Sequence, residues 1–126
     1  MNENKTLITD YLRAMSGRSK PADLVQKYVA DPVLAAHIAE TEAAFPNYEI
    51  VVEETIAEDD LVTVRAKFRG VHRGLFAGIG ATGITVSAGL IIIYRVVNGR
   101  IGEHWMEFDR LALLEQLRDV TVGPRT

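Results

Sequence analysis

Residues 90–109, LIIIYRVVNGRIGEHWMEFD, decide how the rest of the chain is read. Two runs rich in β-branched and aromatic residues flank Asn98-Gly99, the dipeptide that best tolerates the positive φ angles of a two-residue hairpin turn. The stretch therefore reads as two antiparallel strands that close on a group of ionisable side chains. With a two-residue turn, Val97 pairs with Arg100, Tyr94 with Glu103, Ile92 with Trp105, Leu90 with Glu107 and Ala88 with Asp109. Leu90, Ile92, Tyr94, Trp105, Glu107 and Asp109 then share one face, and Ile91, Ile93, His104, Met106 and Phe108 share the other. A bulge after Gly102 would exchange every assignment beyond it, so the side to which His104 points depends on the register.

Upstream of the hairpin, Val62, Val64, Ala66 and Phe68 alternate with Thr63, Arg65, Lys67 and Arg69, the period of a strand with one buried face. Tyr48 to Ile56 reads as the strand before it, and Glu58-Asp59-Asp60 as the turn between them. The segment GVHRGLFAGIGATG, residues 70–83, is a glycine-punctuated connection leading to a further strand from Ile84. Before Pro46 the pattern is helical. Leu7, Ile8, Tyr11, Leu12 and Met15 form one stripe over residues 5–15, ADLVQKYV is a short second helix after Pro21, and Pro32 to Phe45 form a third. Residues 110–117 have helical spacing again, with residues 121–126 left as a tail. Helices followed by a meander of antiparallel strands predict an α+β fold: a curved, cone-shaped sheet with about three N-terminal helices on its concave face and a pocket between the layers.

The chain has 126 residues, a net charge of −3 and no cysteine. That length fits one domain, residues 1–126, with a core that requires no disulfide. The weak negative charge gives no electrostatic reason to expect nucleic acid or an anionic membrane as partner. No apolar run approaches the roughly 20 residues that span a bilayer, and the N-terminus lacks a secretory pattern, so a cytoplasmic location is expected. Three widely spaced histidines with no His-x-x-x-His motif predict no metal site. Gly78-Ile79-Gly80 lacks the strand-loop-helix setting of a dinucleotide loop. No cofactor is expected.

Asp109 ends an aromatic and aliphatic strand, where a carboxyl group that loses solvation becomes a competent proton carrier near neutrality. The competing role is an N-cap for the helix that starts at Arg110. His72 shares strand parity with Phe68 and is a second catalytic candidate, able to donate to an enolate oxygen or to sit idle at a strand end. Tyr94, Trp105, Ile92, Phe68 and Phe76 are candidate walls of a substrate pocket. Glu107 and His37 can reach its rim or face solvent, and His104 can satisfy a backbone group or line the site. Apolar residues on both faces of the last hairpin call for a partner, so a homodimer through the sheet face is expected.

The strings GVHRGLFAGIGATG and IGEHWMEFDRLALLEQL, with Phe45-Pro46-Asn47-Tyr48 at the helix-to-sheet junction, resemble the SnoaL-like polyketide cyclases of the NTF2-like superfamily. The resemblance spans nearly the whole chain. It implies an α+β cone and a cofactor-free intramolecular aldol ring closure on a small apolar carbonyl compound, with a cavity aspartate as general acid/base. Asp109 is the residue that matches that aspartate by position. The alternative is a non-catalytic binding module that holds a hydrophobic ligand or a protein partner in the same cone.

Overall fold

The computed structural model describes residues 2–121, with side chains to residue 118. Three helices, α1 (Glu3–Met15), α2 (Ala22–Tyr28) and α3 (Pro32–Ala44), precede four strands, β1 (Glu49–Glu58), β2 (Leu61–Val71), β3 (Thr85–Val97) and β4 (Arg100–Phe108), and α4 (Arg110–Thr121) follows. The tail expected beyond residue 121 lies outside the described residues. The strands form one antiparallel sheet in the order β1-β2-β3-β4, and the fold is the expected α+β arrangement with the sheet curved around its helices.

Local chemistry sets the helix boundaries. The Asn2 side chain accepts from the amides of Asn4 and Lys5 at the start of α1, a cap worth about 1 kcal/mol. Asp31 caps α3 in the same way, accepting from Val33 and Leu34, with Pro32 in the first turn. The buried stripe of α1 is Ile8, Tyr11, Leu12 and Met15. It packs above Val62, Val64, Ala66 and Phe68 of β2 and Leu90, Ile92 and Tyr94 of β3, all of them buried.

The register of the last hairpin departs from the even pairing expected. Asn98 and Gly99 both have positive φ, 51° and 76°, as the two-residue turn requires. Val97 pairs with Arg100 and Val96 with Ile101, but Arg95 then pairs with Glu103. Gly102 is the extra residue. A Cβ there would approach Val97 Cγ2 to 3.0 Å, so the crowded position favours glycine. Beyond the bulge, Tyr94 lies opposite His104, Ile92 opposite Met106 and Leu90 opposite Phe108. His104, Met106 and Phe108 therefore face the helices, whereas Trp105, Glu107 and Asp109 face outward, contrary to the bulge-free assignment.

The bulge also fastens the helical layer. The Ile101 carbonyl accepts from the amides of Ala30 and Asp31 at 2.9 and 3.0 Å, and Val29 makes a parallel bridge to Ile101. Arg100 donates to the carbonyls of Gln26 and Val29 at 2.7 and 3.0 Å, at the C-terminal end of α2. The α2–α3 linker thus occupies the free edge of β4 and blunts it. The connection between β2 and β3 is held as tightly at its base. Arg73 and Gly74 donate to the Ala44 carbonyl, and a Cβ at Gly74 would run into the Ala43 carbonyl oxygen.

Candidate active site

Between the sheet and α1 and α3 lies a cavity of about 100 Å³. Two ends differ in chemistry. At one, Phe45, Phe68, Phe76 and Phe108 pack edge to face with ring centroids 5.2 to 5.7 Å apart. At the other, Tyr11 and Tyr94 meet edge to face at 5.8 Å, and His104 enters from β4 directly opposite Tyr94. Leu12, Met15, Leu34, Ile38, Ile92 and Met106 fill the wall between them.

His104 is held by Asp31. Its Nδ1 lies 2.7 Å from Asp31 Oδ2, and both side chains are about nine-tenths buried. Burial alone would raise the Asp31 carboxyl. The bond from His104 and the amides of Leu34 and Val33 outweigh it, so the group sits below its usual range. Asp31 is therefore an ionised acceptor, and His104 Nδ1 must be the donor. A neutral ring in this arrangement has its lone pair on Nε2, and among the described residues no hydrogen bond occupies that nitrogen. Asp31's contribution to stability is present above its ordinary carboxyl range and is lost as pH falls through its depressed value.

The phenols complement this base. Burial, reinforced by the proximity of Tyr94 and Tyr48, pushes the Tyr11 hydroxyl well up, and burial does the same to Tyr48 and Tyr94. All three stay protonated and can donate at neutral pH. His37 and Thr41 on α3 and Arg110 on α4 also line the cavity, with His37 and Arg110 exposed at its rim. Partial burial holds His37 below its ordinary value, and the nearby His104 lowers it further against a smaller opposing effect of Glu40.

Of the residues singled out in the sequence, Phe68, Phe76, Ile92, Tyr94, His37 and His104 line this cavity. Four do not. Asp109 is exposed, its Oδ1 accepts from the Ala112 amide at 3.1 Å, and it serves as the N-cap of α4. Glu107 lies with it in an open depression on the outer face of the sheet, among Glu53, Arg65 and Lys67. Trp105, 47% exposed, stands on the same outer face under the Arg95 guanidinium. His72 is fully buried beside Phe45, and its Nδ1 accepts from the Thr82 amide at 3.2 Å. Its Nε2 has no partner, but the side chain does not reach the cavity.

Asp31, like Tyr11 and Arg110 of the cavity wall, is not singled out by any site signal in the sequence. Asp-Pro before an apolar run is an N-cap signal, and it was legible as the end of one helix and the start of another. Its second bond, to a histidine 73 residues away, exists only in three dimensions. Among the described residues no group of three or more His, Cys, Asp or Glu side chains converges to hold a metal ion, and no helix is long and apolar enough to cross a membrane.

The family model described as SnoaL-like polyketide cyclase matches residues 20–117. The chain belongs to that family. Solved structures agree on the fold. AclR from Streptomyces galilaeus, a proposed hydroxylase, is 24% identical with a TM-score of 0.79, covering 98% of this chain and 84% of its own. A proposed polyketide cyclase from Acidithiobacillus ferrooxidans is 21% identical with a TM-score of 0.81, covering 94% and 96%. IdmH from Streptomyces antibioticus, also a proposed polyketide cyclase, is 22% identical with a TM-score of 0.75, covering 93% and 99%. Identities this low establish the shared SnoaL-like fold and leave activity to the site. No curated protein matches the chain.

The charge coupling between His37 and His104 is testable. In a His104→Asn variant the His37 pKa, followed by proton NMR, is expected to rise toward 6.5 while burial keeps it below that value. An unchanged His37 pKa would show that no charge coupling links the two imidazoles.

Proposed function

We propose that this SnoaL-like protein is a cofactor-free acid/base enzyme acting on a small carbonyl compound, with His104 as the proton carrier and Asp31 as its positioning residue. The observation that carries the reading is the buried Asp31–His104 pair at 2.7 Å, which leaves Nε2 open toward an apolar cavity. An ionised carboxylate bonded to Nδ1 orients the ring and stabilises the imidazolium formed when Nε2 takes a proton. Tyr94 and Tyr11, protonated and hydrogen-bonded to each other, leave one phenol proton of the pair to donate to the enolate oxygen.

In an aldol closure, Nε2 removes a proton next to one carbonyl and the electron pair forms the enolate. The enolate carbon bonds to a second carbonyl carbon in the same molecule, and the resulting alkoxide takes the proton back from the imidazolium. No other reactant is required, and holding the two carbons at near-attack distance supplies much of the rate. A cavity of about 100 Å³ is below the 300 Å³ or more typical of pockets that enclose a drug-sized ligand. A polycyclic substrate therefore places its reacting end inside and extends past the rim.

The same cone in a non-catalytic module would hold a ligand by shape alone. An apolar ligand does not require an oriented, partly buried base, and the Asp31–His104 pair favours the enzyme. The outer face of the sheet, where Ile91 and Trp105 are 45% and 47% exposed, supports a homodimer through that face. Light scattering at micromolar concentration is expected to give twice the chain mass, reduced by Trp105→Glu, and a wild-type monomer would refute the dimer.

The catalytic assignment is tested with 2-indanone in D₂O, following deuterium uptake at the α-carbon. His104→Gln is expected to lower the protein-dependent rate by a factor on the order of 10² or more. Asp31→Asn, which keeps the α3 cap, is expected to fall between it and the wild type. Asp109→Asn is expected to stay within a few-fold of wild type. A large loss in Asp109→Asn with His104→Gln unaffected would return the catalytic role to Asp109.

A further inference from the structure

The aromatic end of the cavity carries a cation with no counter-charge. Arg110, the first residue of α4, lines the rim with its guanidinium carbon 4.9 Å from the centre of the Phe76 ring. Among the described residues it makes no ion pair, although Glu107 and Asp109 are close in sequence. Those carboxylates belong to the outer face of the sheet. Among the described residues no Asp or Glu lines the cavity, whereas Arg110, His37 and His104 all do. Asp31, the acid bonded to His104 at the other end, is already committed to two amides and to that ring.

We infer that Arg110 binds a carboxylate of the substrate at the aromatic end of the cavity, so that the carbonyl compound processed is an aromatic one that also carries an acid group. The guanidinium lies over the Phe76 ring, and its N–H donors, which make no hydrogen bond among the described residues, can meet a carboxylate in two parallel bonds. The Phe76 ring is itself fixed, packed 5.2 Å from Phe45, which limits the orientations of the fork. Phe108 lies four residues beyond His104 along the strand, roughly 13 Å of chain, and Arg110 lies beyond Phe108. The carboxylate is thus held at the end away from the base, which suits an elongated acid whose reacting carbon is remote from its acid group. Which end reacts rests on the catalytic reading above; binding of the anion does not.

The test therefore measures binding and not turnover. Benzoate and its neutral isostere benzamide are titrated into the full chain at low ionic strength, with the His37 and His104 ring resonances reporting occupancy of the cavity. Wild type is expected to bind benzoate about tenfold more tightly than benzamide. Arg110→Gln is expected to bring the two within about twofold by weakening benzoate alone, and Arg110→Lys to retain part of the preference as a point charge without the fork. Equal affinities in wild type, no binding of benzoate, or a preference that survives in Arg110→Gln would overturn the inference. Because neither ligand reacts, this outcome is independent of whether His104 proves to be the base.

Discussion

The extra residue at Gly102 sets which side chains of β4 reach the cavity, and the adjoining Ile101 carbonyl sets where the helical layer attaches. After the bulge the inward positions become His104, Met106 and Phe108. Before it, the Ile101 carbonyl turns to the free edge and receives the amides of Ala30 and Asp31. The two consequences meet in one contact, because the linker that Ile101 holds carries the carboxylate that orients His104. Without the extra residue, Trp105 would occupy the cavity and His104 would face the outer surface.

Asp31 serves the fold and the site with different oxygens. Oδ1 caps α3, and Oδ2 accepts the hydrogen bond from His104 Nδ1. A carboxylate satisfied on both sides can stay ionised although nine-tenths buried. The other polar groups under the helices follow the same logic. Lys20, whose side chain is fully covered, donates to Glu42 and to the carbonyls of Arg18 and Tyr48. His72 is the exception, and its contrast with His104 is informative. The Thr82 amide can only donate, so His72 keeps its lone pair on Nδ1 and carries its proton on Nε2. His104 has the opposite tautomer, and only that one presents a base to the cavity.

Much of this architecture is legible in the amino-acid sequence, because period and punctuation encode it. Alternation through residues 62–69, the Asn98-Gly99 turn, the stripe of α1 and the proline stops all appear where the pattern puts them. The site was less legible. Gly102 carries no signal that separates a bulge from an ordinary strand glycine, and a one-residue error there inverts the faces of His104, Trp105, Glu107 and Asp109. Asp109 was open to two roles, acid/base group and helix cap, and its hydrogen bond to Ala112 and its exposure place it at the cap. Asp31 carried only its cap signal, since no local pattern records a bond between residues 73 positions apart.

The tautomer of His104 is the quantity on which the account rests most directly. Nitrogen-15 NMR of the imidazole, recorded at a pH where the ring is neutral, distinguishes the protonated ring nitrogen from the bare one. The expected result is the proton on Nδ1, shared with Asp31, and a bare Nε2, with the preference lost in Asp31→Ala. A wild-type ring protonated on Nε2 would contradict it, because His104 would then offer the cavity a donor in place of a base.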